Sequence, residues 1–177
     1  VPKPGVQERI LLHLRDYVDH AEKVEVPFAL SQMGIANAVS IARSNVPRAI
    51  SGLRDQGYLV EKQAHVTGVS RKRKAYFLTD EGAKLADDIW SKVGKQNVRV
   101  IGKDGRASNM ELAEALENTD LPLRHVDVIR YLDDSGTIDL SVLSSDLIER
   151  DLSKHIEKQL VTSLSDLPRT GGSMAGN

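Results

Sequence analysis

The sequence contains no cysteine, few aromatic residues and no long apolar run. Without cysteine the chain can form no disulfide, hold no thiolate-bound metal and use no thiol nucleophile, which is typical of proteins in a reducing compartment. Aromatic residues make up only 4% of the chain, so the core must consist mainly of Leu, Ile, Val and Ala. No stretch approaches the ~18 apolar residues of a membrane span, and residues 1–10 lack the apolar segment of a secretory signal. We therefore expect a cytoplasmic protein without membrane contacts.

Charge is distributed unevenly, although the net charge of the whole chain is only −1. Residues 1–97 carry 15 Lys and Arg against 11 Asp and Glu, whereas residues 98–177 carry 9 against 14. A basic half followed by an acidic half can mark a half that faces nucleic acid and a half that avoids it. Taken alone, the asymmetry leaves this interpretation open.

Hydrophobic periodicity over residues 1–94 predicts a helix, a helix, a turn, a helix, a strand, a loop, a strand and a final helix. The first helix is expected at residues 7–20. The second and third helices are expected to begin at Ser31 and Ser44, whose hydroxyls are suited to cap them. Ser40 occupies the turn between these two helices, and a positive φ at this residue would cost about 1 kcal/mol.

The densest positive charge of the chain lies at the mouth of a predicted strand. Strands are expected at residues 58–64 and 74–79, joined by a loop that turns at Gly68. Four consecutive cations run from the end of this loop into the second strand. These cations are Arg71, Lys72, Arg73 and Lys74. A hairpin tip can present positive charge to a partner without burying it. The alternative is that the cations are merely solvated and prevent edge-to-edge pairing of the hairpin.

The chain resembles the winged helix-turn-helix of bacterial and archaeal transcription regulators, the MarR-like type in particular, in the stretches GIANAVSIARSNVPRAISGLRDQGYLVEK and RKRKAYFLTDEG. The order and spacing of an Ile-Ala pair, an Arg-Ser helix start and a Tyr-x-Leu-Thr-x-x-Gly run carry the resemblance, which covers about residues 31–90. Pro47 departs from the family pattern, where Ser or Thr is common. The resemblance implies a mainly α fold with a small β-hairpin wing, followed by a C-terminal helical region, and a function in DNA binding and transcription regulation.

Side chains near the start of the third helix are the expected readers of double-stranded DNA. The major groove admits one α-helix, and residues near the N-terminus of that helix reach the base edges. Arg can bond bidentately to guanine and Asn to adenine, whereas cations on the wing would neutralise phosphates. The expected contact residues are Arg43, Ser44, Asn45 and Arg48 in the major groove, and Arg71, Lys72, Arg73 and Lys74 on the backbone or in the minor groove.

The second half of the chain carries no motif that we can name. We expect a winged-helix domain at residues 1–94 and an acidic, mostly helical region at residues 98–164, in which residues 98–101 are a candidate strand and Ser108 caps a helix. A flexible tail or linker is expected at residues 165–177. Regulators that the chain resembles pair through terminal helices, so the first helix and the helical segment at residues 141–164 are candidates for a homodimer contact. The C-terminal region is also a candidate for contact with a further domain or partner protein.

A rival interpretation is a winged-helix protein-interaction module at the N-terminus of a larger regulatory ATPase, because the Pro- and Gly-containing tail looks like a linker. We find no nucleophile–base pair, dinucleotide-binding signature or phosphate-binding loop in the sequence. We therefore expect no enzyme activity, no cofactor and no metal. His13 and His20 lie seven residues apart without a third ligand, which favours a position at a surface or interface.

Overall fold

Four helices and a β-hairpin follow one another in the predicted order. The computed structural model describes residues 3–146. The helices are α1 (Val6–Arg15), α2 (Gln32–Val39), α3 (Val46–Asp55) and α4 (Asp80–Val93), and the strands of the first sheet are β1 (Glu25–Val26), β2 (Leu59–Val66) and β3 (Arg73–Leu78). Strand β2 pairs antiparallel with β3 to form the wing and parallel with β1. This arrangement confirms the predicted winged helix-turn-helix.

The first two helices form where apolar spacing and capping predict them. In α1, Ile10, Leu11 and Leu14 are at most 2% exposed, and their spacing places them on one helical face. Helix α1 ends at Arg15 rather than at residue 20, and a 3-10 turn follows at Val18–His20. Helix α2 begins after Ser31, whose Oγ accepts the Gly34 N–H at 3.1 Å, as expected for an N-cap.

Helix α3 begins at Val46, so the prediction that Ser44 caps it is wrong. Ser44 lies inside a 3-10 turn, Arg43–Asn45, that leads into the helix. The physical reason is Pro47, because the Arg43 carbonyl would normally accept the N–H four residues later, and proline has none. The Arg43 carbonyl accepts the Val46 N–H instead, which gives the tighter 3-10 geometry.

A second sheet follows α4. Strand β4 (Asn97–Ile101) pairs antiparallel with β5 (Ala107–Glu111) and parallel with β6 (Thr137–Asp139), in the order β5-β4-β6. The short helices α5 (Leu112–Glu117) and α6 (His125–Tyr131) lie between β5 and β6 in the chain. Strand β4 confirms the candidate strand at residues 98–101, whereas β5 lies where a helix capped by Ser108 was predicted.

Ser108 lies in strand β5 opposite Val100, so the prediction that it caps a helix is wrong. Gly105 has a φ of 81° and reverses the chain between β4 and β5. The backbone that follows this turn pairs with β4, and the helix begins only at Leu112, after that pairing ends. A local Ser signal was therefore outweighed by strand pairing.

The unit that contains the winged helix extends further than expected. Contacts between residues divide the chain into two units, Val1–Asp139 and Leu140–Asn177. The boundary between them therefore lies after Asp139, whereas the sequence placed it near residue 94. Val126 of α6 is 1% exposed and belongs to the same hydrophobic cluster as the buried residues of α1. In the second unit the structure describes residues 140–146, which are helical. The remainder of the predicted helix and the predicted tail at residues 165–177 lie outside the described residues.

A partly buried polar cluster joins α1 to the start of α6. Arg124 donates to the Tyr17 hydroxyl and to His13 Nδ1, each at 2.6 Å. Because a guanidinium only donates, Nδ1 is the acceptor, and the Nε2–H of His13 donates to the Ala29 carbonyl at 2.7 Å. Burial, together with the charge of Arg124, lowers the pKa of His13 to about 4. His13 is only 1% exposed, so the expected position at a surface or interface is wrong for this residue.

Candidate nucleic-acid interface

The four residues that were predicted to enter the major groove lie together at the start of α3. Arg43, Ser44 and Asn45 form the 3-10 turn, and Arg48 lies in the first turn of the helix. All four are exposed. Within residues 3–146 none of their side chains has a hydrogen-bond or ion-pair partner. They are therefore free to contact a ligand.

The opposite face of α3 anchors the helix in the core. Val46, Ile50 and Leu53 are at most 2% exposed, and their spacing of four and three residues places them on one face. Fully burying an aliphatic side chain of this size contributes about 1.5–3 kcal/mol. The buried stripe fixes which side of α3 faces the solvent.

The turn between α2 and α3 is held by an arginine from α1. Ser40 has φ 58° and ψ 50°, which is the left-handed conformation. Its φ is therefore positive, the case for which the sequence analysis expected an energetic cost. Nη1 of Arg9 donates to the Val39 carbonyl at 2.7 Å and so satisfies one of the carbonyls that a helix leaves unpaired at its C-terminus. The position of α3 relative to α2 thus depends on this turn and on α1.

The predicted wing residues lie at the tip of the hairpin and at the start of its second strand. Arg71 and Lys72 belong to the loop that joins β2 to β3, and Arg73 and Lys74 begin β3. All four are exposed. Lys74 differs from the other three because its Nζ lies 3.9 Å from a carboxylate oxygen of Glu61.

One cleft of about 560 Å³ brings the turn and the wing together. Arg43 lines it from the start of α3, and Lys72, Arg73 and Lys74 line it from the wing. Ser44, Asn45, Arg48 and Arg71 do not line this cleft. The cations from the two elements therefore share one surface depression, which we call the cationic cleft.

Sequence patterns did not identify the apolar and amide residues of the cationic cleft. Phe28 and Met33 line it and are 42% and 39% exposed. Gln32 and Gln63 add amide groups from α2 and β2. Met33 adjoins the Ser31 cap, which placed it in a helix, but no periodic signal indicated that its side chain would face the wing.

A hydrogen-bonded chain connects α2, the wing and α3. Nε2 of Gln32 donates to the Tyr76 hydroxyl at 3.0 Å, and this hydroxyl donates to Oε1 of Glu61 at 2.9 Å. Glu61 also lies 3.8 Å from Nη1 of Arg54 at the end of α3. Burial raises the pKa of the Tyr76 phenol, and its bond to Glu61 acts in the same direction. The phenol therefore remains a donor at neutral pH.

Comparisons with known proteins give matches among solved structures only. No family model and no curated protein matches the sequence. A protein of Ralstonia eutropha JMP134, provisionally described as DNA-binding, is 26% identical, and the match covers 48% of this chain and 94% of that one with a TM-score of 0.35. These values do not establish a common fold over the whole chain.

Two further structural matches are to named regulators. A mutant of ZitR from Lactococcus lactis is 17% identical, with 89% of this chain and 76% of that one covered and a TM-score of 0.41. MepR, a transcription regulator of the Staphylococcus aureus multidrug efflux pump MepA, is 15% identical, with 89% and 80% covered and a TM-score of 0.37. The description of the fold therefore rests on the element order and strand pairing given above.

Among residues 3–146, no helix combines the length and the apolar character needed to cross a bilayer. In the same residues, no three His, Cys, Asp or Glu side chains are grouped so that they could hold a metal ion.

Proposed function

We propose that the chain binds double-stranded DNA in a sequence-dependent manner and acts as a transcription regulator of the MarR-like type. The observation that carries this proposal is the cationic cleft, in which Arg43 and the wing cations Lys72, Arg73 and Lys74 face a common space. A phosphate backbone that passes between a recognition helix and a wing requires cations on both sides. The cleft supports this arrangement because its cations come from both elements and line one space.

The proposed contacts divide into readers and anchors. Arg43, Ser44, Asn45 and Arg48 would reach base edges, since their side chains are exposed at the start of α3 and the major groove accommodates one helix in this orientation. The wing cations would bind phosphates or the adjacent minor groove, which supplies affinity that does not depend on sequence.

We further propose that two copies bind together, because paired recognition helices can meet successive major grooves. The apolar residues of α1 are already buried within its own unit. A contact through α1 would therefore use its exposed polar residues, and the other candidate segment, at residues 141–164, lies largely outside the described residues. Enrichment of a two-fold symmetric motif from a random duplex library would support this dimer.

The salt dependence of duplex binding tests the proposal. For DNA binding, log K falls linearly with log salt, with a slope of about −0.9 per neutralised phosphate. Replacing Arg71, Lys72 and Arg73 together by Ala should weaken binding to all duplexes alike and reduce the slope by up to about 2.7. A variant with Lys84, Lys92 and Lys95 replaced by Ala makes the same change in net charge outside the turn and the wing, and it should retain the wild-type slope.

Replacing Arg48 by Ala tests base reading rather than backbone binding. If Arg48 makes a bidentate base contact, its loss should reduce discrimination at particular base pairs by about 1–3 kcal/mol, without changing the affinity for random duplex. Binding that is independent of salt, and unaffected by either set of changes, would contradict DNA binding. That result would favour the rival function, a winged helix that docks a partner protein.

A further inference from the structure

A carboxylate, that of Glu61, lies between a cation of α3 and a cation of the wing, the two elements that the proposed function places on DNA. Glu61 is on β2 directly opposite Tyr76 on β3. Residues along a strand alternate between faces, so Glu61 shares its face with Gln63, and Gln63 lines the cationic cleft. Its side chain is 27% exposed, so this charge is partly shielded from solvent.

Glu61 faces one cation from each of the two proposed DNA-binding elements. Arg54 of α3 lies 3.8 Å away, and Lys74 of the wing lies 3.9 Å away on the other carboxylate oxygen. Both distances are those of ion pairs rather than of short hydrogen bonds. Each cation is therefore attracted to Glu61 but remains able to leave it for a phosphate.

The position of the carboxylate is fixed by neighbours that carry no charge. The Tyr76 hydroxyl donates to Oε1, and Gln32 donates to that hydroxyl. Tyr76 is only 1% exposed, so its hydroxyl is held by the core. The hydrogen bond from Tyr76 therefore holds the negative charge of Glu61 between Arg54 and Lys74.

We propose that Glu61 is a specificity-determining residue that limits sequence-independent binding to duplex DNA. This inference rests on the proposed function. Glu61 competes with phosphates for Lys74 and Arg54, and its own charge repels the backbone. Binding is then favourable mainly where the residues at the start of α3 also find matching bases. Lys74, one of the predicted contact residues, contributes less than its neighbours as long as Glu61 is charged.

Glu61→Gln removes the charge but keeps the size of the side chain and an oxygen that can accept from Tyr76. We expect random-duplex affinity to rise about 3- to 10-fold near 0.1 M salt, and the salt slope to steepen by about 0.9–1.8, which corresponds to one or two added phosphate contacts. Affinity for a selected duplex should rise less, so the ratio of selected to random binding falls. Glu117→Gln, at an exposed position in α5, makes the same change in net charge and should leave slope and ratio unchanged.

Lys74→Gln, made in both the wild-type and the Glu61→Gln backgrounds, provides a second test that does not rely on the Glu61→Gln variant alone. The substitution should have little effect in the wild-type background and should lower random-duplex affinity several-fold in the Glu61→Gln background, because only there is Lys74 released. Tyr76→Phe keeps the buried ring and frees the carboxylate, and it should shift the slope in the same direction as Glu61→Gln but by a smaller amount. Circular dichroism and thermal unfolding verify that each variant is folded.

The outcomes separate this inference from the function on which it rests. If the wild type binds duplex DNA with a salt dependence, and neither Glu61→Gln nor the Lys74→Gln pair shows the expected change, the role of Glu61 is overturned and DNA binding stands. If the wild type binds no duplex at any salt concentration, both are overturned. Lower affinity for every duplex in Glu61→Gln, with an unchanged slope, would assign Glu61 a structural role only and would also overturn the inference.

Discussion

At the scale of single residues, the protonation of His13 links the stability of the molecule to pH. Burial and Arg124 lower its pKa to about 4, below the ordinary value of about 6.5, so the unfolded chain binds the proton more tightly. The stabilisation is complete above pH ~6.5 and is lost as the pH falls towards ~4. Between pH ~7.5 and ~5 the free energy of unfolding should decrease by about 2 kcal/mol through this residue alone.

Urea unfolding of the wild type and of His13→Gln at these two pH values measures this contribution. Gln can donate to the Ala29 carbonyl and accept from Arg124, so the bonds of His13 have a neutral substitute. We expect the difference in stability between the two proteins to change by about 2 kcal/mol between the two pH values, in the direction that favours Gln at low pH. A difference that does not depend on pH would contradict a buried, neutral His13.

Not all of these residue-scale features could be predicted from the sequence. The left-handed conformation of Ser40 was considered in advance because this residue occupies the predicted turn between α2 and α3. The burial of His13 could not be foreseen, because it depends on Arg124, which is 111 residues away in the chain. Helical spacing identifies which residues share a face, but it does not identify the element that covers that face.

At the scale of the elements, two helical glycines have opposite roles. A Cβ on Gly34 would overlap the Phe28 carbonyl oxygen and lie 2.7 Å from the Ala29 Cα. Because backbone atoms cannot easily move aside, this glycine sets how closely α2 packs on the preceding turn. A Cβ on Gly52 of α3 would meet only the end of the Gln7 side chain, at 2.5 Å, and this long side chain can move aside at the expense of its 3.3 Å hydrogen bond to the Ala49 carbonyl.

The same substitution should therefore change stability in opposite directions at the two sites. Gly34→Ala should destabilise the protein by about 2 kcal/mol or more through overpacking. Gly52→Ala should stabilise it by up to about 1 kcal/mol through helix propensity. Chemical denaturation followed by the fluorescence of Trp90, the single tryptophan of the chain, measures both. A similar change of either sign in the two variants would contradict the packing described for α2.

Local capping signals predicted element starts only where no longer-range bond competed. Ser31 caps α2 as predicted. Ser44 does not cap α3, because Pro47 converts the preceding residues into a 3-10 turn, and Ser108 is in a strand because β4 pairs with it. The effect of a proline on the carbonyl four residues earlier can be read from a sequence in retrospect. Strand pairing across a turn is harder to read, because the residues of β5 are mostly polar and exposed.

At the scale of the whole molecule, the winged helix and α6 share one hydrophobic core. Val126 belongs to the cluster formed by α1, α2 and the wing strands. Val126→Ala should reduce the free energy of unfolding by about 1–3 kcal/mol and should shift the transitions seen by Trp90 fluorescence and by circular dichroism together. Val24→Ala, at a residue that is 84% exposed, is the control and should shift neither.

Two separate transitions, with the Trp90 signal unaffected by Val126→Ala, would instead support the domain boundary near residue 94 that the sequence predicted. The change from a basic to an acidic half between residues 97 and 98 favours a boundary in this region. The contacts that carry the first unit on to Asp139 join residues more than one hundred positions apart, such as His13 and Arg124. Composition does not record such contacts.

The proposed function requires the start of α3 and the wing to contact one DNA duplex together. The absence of cysteine allows a cleavage reagent, an iron chelate, to be attached at single positions by Ser44→Cys, Ser70→Cys or Ser108→Cys, all of which are exposed. Each labelled protein is bound to the same selected duplex, and the cut sites are mapped. We expect the reagents at positions 44 and 70 to cut within about one helical turn, ~10 base pairs, of each other, and the reagent at position 108 in β5 to leave the duplex intact. Cutting from only one of positions 44 and 70, or from neither, would contradict a shared surface.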